Sequence, residues 1–184
     1  MNKIALNFGK YIKSKVKVDD KIVELLGVRM EGLIKNVVNY FGDKTLFIVT
    51  LKGYEKIIAN KISNSVLCTL SEKYFEQRLN IKRIKDIQKL VKQIVNEIAI
   101  EMKRTNLNTV IIYRANDLPP VVFGIDQNIV EEEFWRLLTM DLRSLDGTFM
   151  FVYEKTDYRP DILSQFADVV ITMTSPPQVL SVFE

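Results

Sequence analysis

Four stretches of this chain are apolar at nearly every position and have the length of a strand: Thr45–Leu51, Asn108–Tyr113, Gly147–Tyr153 and Asp168–Met173. A strand with one wet face alternates polar and apolar residues, whereas one covered on both faces reads as a continuous apolar run. Helical spacings lie between these runs. Leu33, Val37, Val38 and Phe41 recur at helical intervals before Gly42, a plausible C-cap, and a second helix is expected over Tyr54–Ile62. The longest stripe joins Ile84, Ile87, Leu90, Val91, Ile94, Val95, Ile98 and Met102. Val130–Leu142 predicts another helix, with Glu131, Glu132 and Glu133 in its first turn and Phe134, Trp135 and Leu138 as core contacts. Strands alternating with helices predict an α/β fold with a mostly parallel central sheet.

Shorter strands are expected at Lys21–Gly27 and Ser65–Leu70, a short helix around Ile162–Phe166, and an edge or hairpin strand at Val179–Phe183. Pro119-Pro120 marks a loop. Without a repeat or low-complexity linker, residues 1–184 read as one domain, with residues 1–20 as a basic N-terminal segment.

The chain contains no histidine, which excludes histidine acid–base chemistry, Ser-His-Asp and Cys-His hydrolysis, and most zinc sites. Its single cysteine, Cys68, excludes an intramolecular disulfide and a cysteine-rich zinc cluster, and reads as an inert core residue. Lys plus Arg number 26 against 23 Asp plus Glu, a net charge of +3 that is too small to mark a nucleic-acid binder by bulk charge. The N-terminus lacks the apolar core of a secretory signal, and no apolar run approaches the ~18 residues of a membrane span. A cytoplasmic protein without membrane contact is expected. Abundant Lys, Ile and Glu are compatible with a thermophilic source.

Between the first strand and first helix stands Gly27-Val28-Arg29-Met30-Glu31-Gly32-Leu33-Ile34. The glycines have the G-x-x-x-x-G spacing of a phosphate loop, but a working loop continues with Lys and then Ser or Thr. Leu33 and Ile34 offer neither the cation nor the metal-binding hydroxyl, and Glu31 adds negative charge beside a triphosphate. The plainer alternative is that Gly27 and Gly32 only punctuate a turn.

In the order of its segments the chain resembles the RecA/KaiC-like ATPases, above all the small archaeal paralogues of KaiC and RadA. Leu33–Phe41 is similar to the helix after the Walker A loop, and Thr45–Leu51 to the second strand, with Lys52 near the place of a catalytic glutamate. Val110-Ile111-Ile112-Tyr113-Arg114 is similar to the Walker B strand, with Tyr113 and Arg114 where an Asp-Ser end would hold the metal. Thr148–Tyr153 followed by Phe166–Met173 is the most family-like segment. The resemblance implies a RecA-like three-layer domain over roughly residues 21–173. It also implies the joint loss of the Walker lysine, the glutamate and the Walker B aspartate. Phosphoryl transfer depends on positioned charge and metal, so no turnover and no cofactor are expected.

The resemblance implies that such cores associate across their nucleotide sites, so a protein partner or homo-oligomer is the leading expectation. One alternative is a DNA-binding recombination or repair accessory, through Lys10, Lys13, Lys15 and Lys17 and the basic helix start with Arg83, Lys85, Lys89 and Lys92. Asp86 and Glu97 interrupt that run, which favours an ordinary solvated face. The other alternative is a sensor that binds nucleotide without hydrolysis, through backbone amides at a helix start. Asp117, Asp126 and Glu131–Glu133 read more readily as loop and helix-start charges than as a magnesium site. Tyr153–Pro160 is a polar loop at a strand end, where open α/β sheets bind ligands.

Overall fold

The computed structural model describes residues 19–27, 45–50, 66–154, 162–173 and 179–183. Their centre is one seven-stranded sheet. In chain order the strands are β1 (Ile22–Gly27), β2 (Thr45–Val49), β3 (Val66–Thr69), β4 (Thr109–Tyr113), β5 (Thr148–Glu154), β6 (Val169–Met173) and β7 (Val179–Phe183). In space they run β3-β2-β4-β5-β1-β6-β7. The first six are mutually parallel, and β7 closes the sheet antiparallel to β6. The continuous apolar runs have the expected cause, because both faces are covered. Ile22, Phe149 and Ile112 are buried on one face, and Val23, Leu25, Ile111, Met150 and Val152 on the other.

Among the described residues there are three α-helices: α1 (Glu72–Leu79), α2 (Ile87–Thr105) and α3 (Gln127–Leu142). The stripe read from α2 is its buried face, with Ile87, Leu90, Val91, Ile94 and Ile98 enclosed. The helix stops at Asn106, which takes the left-handed conformation (φ 55°) and donates its N–H to Met102 O. Phe134, Trp135 and Leu138 are fully buried, as their spacing predicts. Trp135 stands edge-on to Phe151 of β5 with centroids 5.5 Å apart, which fixes α3 against the sheet.

Three local expectations change. The Glu131–Glu133 run is not a first-turn cluster, because α3 starts a turn earlier at Gln127, where Asp126 caps it by accepting Asn128 N–H at 2.8 Å. Residues 162–166 form a 3-10 turn over Leu163–Gln165 rather than an α-helix. Finally, α1 has no counterpart in the apolar pattern, because only Tyr74 of its eight residues is buried. Its start is set by a cap instead: Ser71 Oγ accepts Tyr74 N–H at 3.2 Å.

The amino edge of the sheet is tied by Asp168. Its Oδ2 accepts the backbone N–H groups of Lys21 at 3.0 Å and Ile22 at 2.9 Å, and Arg143 pairs with Oδ1 at 2.7 Å. The acidic residue leading β6 thereby anchors β1 and the end of α3 together.

Candidate functional site

In a sheet of this kind ligands bind beyond the carboxyl ends of the strands. Leu25, Val152 and Tyr113 stand in register across β1, β5 and β4. Two interstrand steps of ~4.8 Å therefore separate β4 from β1. Gly27 ends β1 two residues beyond Leu25, so it stands at the same edge as Arg114 and Thr50. Gly32, Leu33, Ile34 and Lys52 lie outside the described residues.

The end of β4 carries no carboxylate. Tyr113 is buried, in register with Val152 on the sheet face that also carries Leu25. Arg114 turns into the left-handed region (φ 56°, ψ 55°) and opens the 3-10 turn Ala115–Asp117. A non-glycine residue adopts that conformation only where its surroundings compensate. Here its carbonyl accepts Thr50 Oγ–H at 3.2 Å and the Asp117 N–H at 3.0 Å, while its Nε lies 2.8 Å from Asp117 Oδ2. Thr50 is itself buried just past β2, so the carboxyl ends of β2 and β4 are stitched through one backbone carbonyl. Asp117 is consequently half of an ion pair with a cation three residues away. Among the described residues, no three His, Cys, Asp or Glu side chains gather as a metal site.

Glu24 is not among the site residues expected from the sequence. It is fully buried in mid-β1, on the face that carries Ile22 and Leu26, with Phe151 and Val170 beside it in register. An acidic residue framed by Val23 and Leu25 in a strand covered on both faces was the available signal.

A cavity of about 240 Å³ opens beside β3, bordered by Cys68, Ser71, Ile98, Ile100 and Glu97. Glu97 is the helix-capping partner of this corner. It accepts Ser71 N–H at 2.9 Å, Ser71 Oγ–H at 2.5 Å and Gln93 Nε2–H at 3.0 Å. Burial, with the charges of Glu101 and Glu97 adding to it, pushes the Cys68 thiol up to about 11, so it is a neutral, unreactive group at ordinary pH. This agrees with the inert role expected of Cys68.

Lys85, Lys89 and Lys92 are all exposed, as is Arg83, which is engaged by Asp86 at 3.1 Å. Lys10, Lys13, Lys15 and Lys17 lie outside the described residues. No helix among the described residues is long and apolar enough to cross a membrane.

No protein-family model matches the chain, and no curated protein matches it. Solved structures do: 199 chains are similar, so the fold is a common one. One of them is the ATPase domain of another protein, with a TM-score of 0.51 at 15% identity over 84% of this chain and 69% of that one. At that identity the likeness speaks for the fold alone. Together with the strand order and the burial of both sheet faces, it makes this a three-layer, RecA-like α/β domain with a mostly parallel sheet.

Proposed function

We propose that this RecA-like domain does not turn over nucleoside triphosphates and acts by binding a protein partner or further copies of itself. The observation that carries the reading is the end of β4. A hydrolytic site of this architecture needs an acidic group there to hold the metal, and the position is taken by Tyr113 and by Arg114, whose guanidinium is paired with Asp117. Rebuilding a metal site with an acid at position 114 would mean breaking that pair. Leu33 and Ile34 in the glycine loop and Lys52 after β2 point the same way from the sequence. The finer kinship with small archaeal KaiC and RadA paralogues rests on the order of segments.

The test is phosphate release from ATP and GTP with magnesium, at protein concentrations high enough to drive assembly, alongside light scattering for oligomeric state. The expected result is no release above a buffer blank. Magnesium-dependent release that co-elutes with the protein and persists through a second purification step would sink the reading. Saturable binding of a fluorescent ATP analogue without release would shift it to a nucleotide sensor using backbone amides.

A further inference from the structure

Of the two acidic residues that break up the basic run of α2 in the sequence, Glu97 lies off the lysine face, whereas Asp86, bonded first to Arg83, also feels the charges of Lys89 and Lys85. At ~100° per residue, Lys89, Lys92 and Lys103 fall within about 60° of one another on α2, with Asn96 among them. This stripe is diametrically opposite the buried line of Ile87, Leu90, Val91, Ile94 and Ile98. Lys85 continues it into the preceding 3-10 turn, Lys82 lies just before that turn beyond the extended Arg83, and all five lysines are exposed. Glu97 and Glu101 sit more than about 100° round the helix from its midline. Glu97 is held by Ser71 and Gln93, and Glu101 by Arg104 at 2.6 Å. Asp86 is turned to Arg83, whose hydrogen bond is the main reason its carboxyl lies below the usual carboxylate range. Among the described residues, no ion pair or hydrogen bond ties down the five lysines.

We infer that this lysine stripe binds the phosphate backbone of double-stranded nucleic acid, independently of sequence. From Lys85 to Lys103 it runs about 27 Å at ~1.5 Å per residue, somewhat less than one ~34 Å turn of a duplex, so it can meet phosphates on both sides of a groove. It carries no aromatic residue, so it has no platform on which unpaired bases could stack. Its one large exposed apolar residue, Ile100, stands about 50° off the midline, so the stripe lacks the continuous apolar face that an interfacial membrane helix buries among lipid chains. A row of flexible ammonium groups, with polar Asn96 among them and Gln88 beside them, suits contact with phosphates rather than with base edges. The inference concerns a surface separate from the nucleotide crevice and stands whether or not the domain turns over ATP.

The experiment is fluorescence anisotropy of a labelled 25-base-pair duplex and its single strand against the full chain, over a series of salt concentrations. Four to five phosphate contacts predict a slope of log K on log salt of about −4. Duplex binding should be no weaker than single-strand binding. Lys89→Glu should lower duplex affinity about fivefold or more at low salt and flatten the slope by about one unit. Lys73→Glu, on α1 and off the stripe, makes the same change in net charge and should alter affinity less than about twofold. Equal losses in the two variants would overturn the inference, as would undiminished binding in Lys89→Glu/Lys92→Glu or the absence of duplex binding at low salt. Tighter binding to phosphatidylcholine vesicles containing phosphatidylserine than to the duplex would overturn it in favour of a membrane surface.

Discussion

Arg143 and Asp168 meet at 2.7 Å, and the same carboxylate accepts the backbone N–H groups of Lys21 and Ile22. Arg143 also donates to the Phe166 carbonyl at 2.9 Å, so one guanidinium and one carboxylate join the end of α3, the start of β6 and the start of β1. Partial burial works against the ionised Asp168, but the Ile22 and Lys21 amides and the Arg143 guanidinium outweigh it, and the carboxyl lies below its ordinary value.

A group depressed in the folded state stabilises fully above its unfolded value, near ~4 for aspartate, and loses that stabilisation as pH falls through the lower folded value. Asp168→Asn should therefore lower stability by about 2 kcal/mol at neutral pH, the order of a lost set of charge-assisted hydrogen bonds. The difference from the parent chain should shrink below pH ~4, where the parent's own carboxylate is being protonated. Urea unfolding at a series of pH values measures both.

Gly147 precedes β5 where the backbone of Asn108 crosses it. A Cβ there would stand 2.6 Å from the Asn108 carbonyl oxygen and 2.8 Å from Met102 Cε. The methionine end can move, but the carbonyl is fixed by accepting Thr148 N–H at 2.9 Å. Gly147→Ala should destabilise by about 1–3 kcal/mol, the range of overpacked sites, seen as a lower thermal midpoint.

Tyr74 is completely buried, and its hydroxyl donates to Leu118 O at 2.5 Å, tying α1 to the segment after β4. Burial drives its phenol well above the ordinary tyrosine value. Tyr74→Phe should cost about 1–2 kcal/mol, because Leu118 O loses this donor in the interior. In the parent chain the ultraviolet signal of phenolate from this tyrosine should emerge only as the fold is lost in alkali.

Cys68 should react slowly with a disulfide reagent at pH 7.5 and faster as pH climbs towards its value of about 11. Denaturant should restore the ordinary thiol rate. Fast labelling of the native chain at neutral pH would contradict the half-buried, neutral thiol described at β3.

The strands and the two long helices were legible because each follows from neighbours in the chain. Val110–Tyr113 is apolar throughout, and the stripe from Ile87 to Ile98 has a period that only a helix satisfies. The polar α1 was not legible, because its start depends on the Ser71 cap and its hold on the molecule on one buried tyrosine. Nor was the left-handed turn at Arg114, which depends on a hydroxyl 64 residues earlier.

The amino-acid sequence by itself determined that this chain lacks histidine chemistry, builds a sheet covered on both faces, and ends β4 in Tyr113-Arg114 rather than in an acid. Those properties depend on residue identity and short-range periodicity, which need no knowledge of the fold. Only the tertiary structure decided that β5 lies between β1 and β4, that Asp168 reaches the amides of Lys21 and Ile22, and that Glu97 turns away from the lysine stripe to hold Ser71. Strand order and side-chain pairing arise from contacts between residues far apart in the chain, and local pattern carries no record of which distant partner a strand or a carboxylate will meet.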